Sequence, residues 1–323
     1  MRYNASVPTA LNLTNEVIVK HIHAREEGFR SGFVAIIGRP NVGKSTLLNL
    51  MLKEKVAIVS DKPQTTRNEI RGILTEKEFQ IVFLDTPGIH KAKDEINRFM
   101  VQKALATFNE VDLILFVVEP ADQLGKGDQY IGNILQDLKT PVFLLINKID
   151  LVSEDSVEHQ IELYKERFQN WKIIPISALT GSGAQGLVKL IVENLPEGHP
   201  FFPDDQFTDQ PLRALCAELI REKVFECLGE EVPYAVAVEV TAFREDAKEP
   251  SGLVVIEATV HVERSSQKGI LIGKKGQMLK KIGTAARQDM EALLGTKVYL
   301  NLWVKVTKGW RNDPKSLRRF GYQ

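Results

Sequence analysis

Gly38-Arg39-Pro40-Asn41-Val42-Gly43-Lys44-Ser45 reads G-x-x-x-x-G-K-S, the spacing of a phosphate-binding loop. Successive main-chain N–H groups in such a loop point inward. A helix that follows adds the positive end of its dipole, so the loop suits a polyphosphate. Gly38 and Gly43 let the backbone turn tightly and approach the phosphates. Lys44 is placed to reach the β- and γ-phosphates, and the Ser45 hydroxyl to ligate Mg²⁺. Arg39, Pro40, Asn41, Val42 and Thr46 complete the expected cradle.

Two further stretches fit the same ligand. Asp85-Thr86-Pro87-Gly88 puts a carboxylate at the end of an apolar run and a glycine just beyond it. Asp85 would hold Mg²⁺ through water, and the Gly88 N–H would face the γ-phosphate. Alone the tetrapeptide is an ordinary Pro-Gly turn; its place after a phosphate loop gives it meaning. Asn147-Lys148-Ile149-Asp150 can read a base. Guanine offers N1–H and a 2-amino group on one edge, and the Asp150 carboxylate can accept both. Adenine has an acceptor at N1, so the carboxylate would be left unpaired, which is costly enough to exclude ATP. Asn147 would brace the loops and the Lys148 stem would lie over the base. Ser177-Ala178-Leu179 is the last piece, with the Ala178 N–H donating to guanine O6.

A different chemistry lies in Gly273-Lys274-Lys275-Gly276. A G-x-x-G loop between two helices can clamp the backbone of about four single-stranded nucleotides. From Arg264 to Gln288 there are seven Lys or Arg (Arg264, Lys268, Lys274, Lys275, Lys280, Lys281, Arg287) and no Asp or Glu. The chain as a whole balances 42 basic against 42 acidic residues, so this is a local bias. Ile272 flanks the loop. The tail adds Lys308, Arg311, Lys315, Arg318 and Arg319, interleaved with Trp310, Phe320 and Tyr322. Cations hold phosphates and aromatic faces stack on bases, so the tail reads as an extension of an RNA surface. The competing reading has its aromatics docked on their own domain.

These residues need elements to position them. Apolar, β-branched runs at 33–37, 112–118, 141–146 and 172–176 alternate with helical stretches, the pattern of a doubly wound α/β domain. Segments 70–74 and 80–84 read as a hairpin at the sheet edge, and 61–68 as an exposed loop. The Pro-rich, acidic segment 194–210 marks a boundary. Beyond it come an amphipathic helix over 211–228, strands over 234–241 and 253–262, the G-x-x-G loop, a helix to Leu294 and a strand over 297–306. The expected division is an extension over 1–30, an α/β domain over 31–196, a linker over 197–210 and an α+β RNA-binding domain over 211–323. Within the extension, 12–27 reads as a short helix, and His21 and His23 fall on different faces and suggest no metal site.

At 323 residues the chain is long enough for two cores. Its two cysteines, Cys216 and Cys227, sit on one helix face about 16 Å apart at 1.5 Å per residue. They read as reduced core residues, not a disulfide. No apolar run reaches the roughly 18 residues a membrane span needs, and the start does not read as a signal peptide. The expectation is a cytoplasmic protein.

The series GRPNVGKS, TTR, DTPG, NKID and SAL resembles the translation-factor-related GTPases. The order of elements after 211 resembles a type II K-homology (KH) domain. Together they resemble a family of bacterial ribosome-assembly GTPases: an α/β P-loop GTPase domain with a doubly wound, mostly parallel sheet, followed by an α+β type II KH domain. The resemblance implies GTP and GDP as ligands with Mg²⁺, slow GTP hydrolysis, and binding near the 3′ end of small-subunit (16S) ribosomal RNA during 30S assembly. It also implies a monomer with peripheral contact to the inner membrane. By the same resemblance Thr66 caps Mg²⁺ when GTP is bound, with Thr65 the alternative. Ser45, Thr66 and Asp85 then form the metal set, and Asn41, Lys44, Thr66 and Gly88 the catalytic set. Many GTPases carry glutamine directly after the D-x-x-G glycine; here that position is Ile89. In relatives with an apolar residue there, an asparagine at the position of Asn41 can ligate K⁺ beside the phosphates. No role is implied for the first thirty residues.

Overall fold

The computed structural model describes residues 28–59, 66–67, 69–88, 108, 110–229, 231–245 and 252–322. The helix expected over 12–27, Thr65 and Ile89 lie outside the described residues. Strands β1 (Arg30–Gly38), β2 (Ile70–Thr75), β3 (Phe79–Asp85), β4 (Leu113–Val118), β5 (Val142–Ile146) and β6 (Lys172–Pro175) form one sheet in the order β2-β3-β1-β4-β5-β6. Every pairing is parallel except the β2–β3 hairpin at one edge. All residues of β4 and β5 are buried, as expected of parallel strands covered on both faces, where side chains of either parity need a core.

Alternate residues of β1 feed two cores. Val34 and Ile36 pack with Leu47 and Leu48 of α1 (Lys44–Leu52) and with Leu187 and Ile191 of α4 (Ala184–Asn194). Ala35 and Ile37 pack with Ile131 and Leu135 of α2 (Lys126–Gln136) and Tyr164 of α3 (Glu154–Arg167). The chain runs from β1 to β3 on one side and returns to β4 on the other. The crevice for a ligand therefore opens at the carboxyl end of β1, where the strand order reverses.

The Pro-rich stretch is laid along this sheet. Gln80, fully buried, accepts from the N–H of Phe201 (2.6 Å) and Phe202 (3.0 Å) and donates to the Phe202 carbonyl (2.8 Å). Further on, the Ile73 N–H donates to the Phe207 carbonyl and Gly72 bridges Thr208, so the strap pairs with the outer edge of β2.

The second unit has a three-stranded sheet, β7 (Ala237–Glu245), β8 (Val254–Val262) and β9 (Val298–Val306), with β7–β8 antiparallel and β8–β9 parallel. Helices α5 (Leu212–Cys227), α6 (Ser265–Ile272) and α7 (Gln277–Leu294) supply Ile220, Val224, Leu271, Ile282, Ala286 and Met290 to its core. Short α8 (Pro314–Arg319) ends the chain. Cys216 is buried and both cysteines are free thiols. The two units meet through ions: Lys55, just past α1, lies 2.6 Å from Glu222 of α5 and 2.8 Å from Asp289 of α7. No described helix is long and apolar enough to cross a membrane.

Candidate nucleotide site and nucleic-acid groove

The phosphate loop joins β1 to α1. Gly43 has φ 96°, and a Cβ there would collide with the Asn147 amide, so the position requires glycine on both counts. Asn41 is left-handed at φ 67°. Lys44 Nζ folds back onto the carbonyls of Gly38 (3.2 Å) and Arg39 (2.8 Å). Burial pushes this amine down to about 8, against the pull of Asp85 and Glu119. Arg39 pairs with Asp128 at 2.8 Å.

Beneath the loop three oxygens converge. Ser45 Oγ donates to Asp85 Oδ2 at 2.6 Å and lies 2.9 Å from Thr66 Oγ1. Asp85 is fully buried, and burial lifts its carboxyl to about 6 despite Lys44 and the two hydroxyls. Its Oδ1 has no hydrogen-bond partner. An orphaned carboxylate oxygen beside two hydroxyls is a set of hard donors that fits Mg²⁺, which takes one or two carboxylates with water and phosphate. Elsewhere among the described residues no group of three His, Cys, Asp or Glu could hold a metal. Thr86 ties back to the Ile36 carbonyl at 3.0 Å. Gly88 meets the loop so closely that a Cβ would strike the Pro40 backbone.

The base-reading residues form a connected frame. Asn147 donates to the Val42 carbonyl (2.8 Å) and accepts from the Ala178 N–H (2.8 Å), so one amide braces both loops. Lys148 donates to the Asn41 carbonyl at 2.8 Å and pairs with Glu119. Ser177 donates to Asp150 Oδ1 at 2.5 Å, which aims the carboxylate. Leu179 is 78% exposed.

In the second unit α6 ends at Gly273 (φ 70°) and α7 starts after Gly276 (φ 78°), with Lys274 and Lys275 exposed between them. A groove of about 450 Å³ runs from Gly276 along α7 past Lys280, Thr284 and Arg287, with Tyr299 and Leu302 of β9 on its other side. Lys281 is exposed and Lys268 half-buried nearby in sequence, as is Ile272.

A family model described as "50S ribosome-binding GTPase" matches residues 33–148, and one described as "KH domain" matches 231–311. GTPase Era of Geobacter metallireducens is 56% identical over 294 residues, 91% of this chain and 98% of that protein. GTPase Era of Caldanaerobacter subterraneus subsp. tengcongensis is 53% identical over the same share of this chain and 98% of its own. The chain belongs to the Era family of GTPases. A crystal structure of Era in complex with MgGDPNP and nucleotides 1506–1542 of 16S ribosomal RNA superposes with a TM-score of 0.88 at 44% identity, covering 91% of this chain and 99% of that one. An Aquifex aeolicus Era variant bound to GDP·AlF4⁻ gives 0.87 at the same identity and coverage.

One expectation needs correction in this Era family member. Trp310, expected to stack on a base, is fully buried: it lies flat on Tyr322 (5.9 Å), edge-on to Phe320 (5.5 Å), and donates its indole N–H to the Ala235 carbonyl. Burying that ring removes it from water, so the tail aromatics close on their own domain. The tail cations are partly committed too, Arg311 to Glu263 and Arg319 to Glu239, while Arg318 is exposed and donates to the Pro314 carbonyl. The Ala178 N–H, expected at guanine O6, donates in this structure to Asn147 Oδ1, which sets it in the same frame as the base-reading residues. Sequence reasoning missed Glu119, Asp128, Tyr299 and Leu302. Glu119 carried a signal, a carboxylate directly after a buried strand. The two β9 residues carried none beyond strand alternation.

Proposed function

We propose that this Era family GTPase is a Mg²⁺-dependent GTP/GDP switch that acts on small-subunit ribosomal RNA near its 3′ end during 30S assembly. The carrying observation is the Asp85 oxygen left without a donor between Ser45, Thr66 and the phosphate loop. Asn147, Lys148 and Asp150 select guanine; Lys44 and the loop N–H groups from Gly38 to Thr46 hold the phosphates. Mg²⁺ held by Ser45, Thr66 and Asp85 would supply charge neutralisation between the β- and γ-phosphates. Gly273 to Gly276, with Lys280, Lys281 and Arg287, bind the RNA backbone.

The GTPase family model's description names the 50S subunit, but it covers only residues 33–148. The relative crystallised with 16S RNA matches through the KH domain as well, and this favours the small subunit. The test is binding of GTP, ATP and a single-stranded RNA with the 16S 3′-terminal sequence, measured in parallel. GTP should bind at least about 100-fold tighter than ATP, and Asp150→Asn should shift preference toward xanthine nucleotides. ATP binding within tenfold of GTP would rule out this use of Asp150.

K⁺ is the finer part of the proposal. Asn41 sits in the loop with its carbonyl tied to Lys148, and an ion on its amide oxygen would place positive charge where an arginine finger otherwise acts. Hydrolysis should be faster in KCl than in NaCl at equal ionic strength, and Asn41→Ala should abolish the difference. Equal wild-type rates in both salts would remove K⁺ from the account.

A further inference from the structure

Thr66 and Arg67 are neighbours in sequence that serve different domains. Thr66 Oγ1 lies 2.9 Å from Ser45 Oγ, at the edge of the orphaned Asp85 carboxylate. Arg67 reaches into the KH domain and is 2% exposed. Its Nη1 donates to the Val236 carbonyl (2.6 Å) and the Tyr322 hydroxyl (3.0 Å). Its Nη2 donates to the Tyr234 carbonyl (3.0 Å) and, more weakly, to that of Pro233 (3.4 Å). The guanidinium also lies over the rings of Trp310 and Tyr322, at 5.7 and 5.8 Å from their centroids.

A buried cation is costly unless its donors are satisfied. Here main-chain carbonyls, a phenol and two aromatic faces do this, and their fork geometry admits little movement of the guanidinium. Consecutive Cα atoms are fixed about 3.8 Å apart. Whatever anchors Arg67 therefore restricts where the Thr66 hydroxyl can go. The socket is built from the turn before β7 and from the last residues of the chain, closed by the hydrogen bond from Trp310 to Ala235.

We propose that Arg67 is a positioning residue for GTP hydrolysis: the KH-domain socket of Val236, Tyr234, Trp310 and Tyr322 holds it, and through it holds the Thr66 hydroxyl at the metal position. The nucleotide site is then incomplete without the C-terminal tail. The inference rests on the reading of Ser45, Thr66 and Asp85 as the metal set.

The test uses the full chain as wild type, Arg67→Met and Tyr322→Phe. Single-turnover hydrolysis and the affinities for GTP and GDP are measured across a Mg²⁺ titration. Arg67→Met should hydrolyse GTP about tenfold more slowly or worse and need more Mg²⁺ with GTP, while GDP affinity stays within about twofold. Tyr322→Phe, which deletes one acceptor and keeps the ring, should move the same two quantities less far. A part in domain packing alone would lower the unfolding temperature and leave the Mg²⁺ requirement where it was. Wild-type rate and Mg²⁺ dependence in Arg67→Met would overturn the proposal, as would equal losses for GTP and GDP. Should Arg67→Met fail to fold, unchanged behaviour of Tyr322→Phe overturns it. A wild type that binds no GTP would sink the site reading, and the inference with it.

Discussion

Asp85 and Lys44 are each buried in a charge state that water would favour and the protein does not. Burial raises the Asp85 carboxyl to about 6 and lowers the Lys44 amine to about 8. For Asp85 the fold binds the proton more tightly than the unfolded chain does. Its contribution to stability is therefore complete below the ordinary carboxylate range and is lost as pH rises through about 6. For Lys44 the contribution is complete above the ordinary amine range and is lost as pH falls through about 8. At neutral pH the ligand-free protein carries both penalties; a metal cation relieves the first and a phosphate the second. Mg²⁺ binding in the presence of nucleotide should therefore weaken as pH falls below about 6, toward tenfold per pH unit, and release a proton near that pH. Calorimetry at pH 6 in two buffers of different ionisation enthalpy would show it. Identical heats in both buffers would mean that Asp85 is already ionised. At this scale the sequence was most informative. Ser45, Asp85, Asn147 and Asp150 were each legible because phosphate, Mg²⁺ and guanine constrain residue type strictly. Glu119 carried only its place directly after β4, and neither it nor Asp128 announced its partner, because they act on Lys148 and Arg39 across distances that sequence spacing does not encode.

Among the elements, the buried strands were legible for a physical reason: a parallel strand covered on both faces must be apolar throughout, and Leu113–Val118 can be little else. The strap over 197–208 was read only as a linker. Its order comes from main-chain pairing to β2 and from Gln80, a residue whose burial its type does not announce. Gln80→Leu keeps the volume and removes the side-chain partners of Phe201 and Phe202. Leaving these groups unpaired should cost about 1–3 kcal/mol, read as a lower urea midpoint. An unchanged midpoint would show that the strap is held by its edge pairing alone.

Across the molecule, the two sites are built by different sheets. Replacing Lys274 and Lys275 with Asp should abolish RNA binding and, for any residual binding, flatten its salt dependence, with GTP affinity unchanged. Full RNA binding by that double variant would remove the G-x-x-G loop from the account. The contacts that join the domains were not legible in the sequence. Lys55 reaches Asp289, and Arg67 reaches Tyr322, across 234 and 255 residues of chain, and neither residue type marks such a partner in advance. The tail was misread for a related cause: an aromatic–basic alternation looks the same whether its rings face a base or their own core.

The strap has one more consequence, for solubility. An open sheet edge offers unpaired N–H and C=O groups to any passing strand. Here β6, at one margin, is four residues long, opening on Lys172 and ending on Pro175, which suits a blunted edge. Strand β2, at the other margin, has no proline and a single charge, on exposed Arg71, and Phe207 and Thr208 occupy its outer side. Those residues lie more than a hundred positions after the hairpin they cover. A ribosome making this chain therefore presents the β2–β3 hairpin long before its cover emerges, and the nascent protein passes through an interval in which its stickiest backbone is bare.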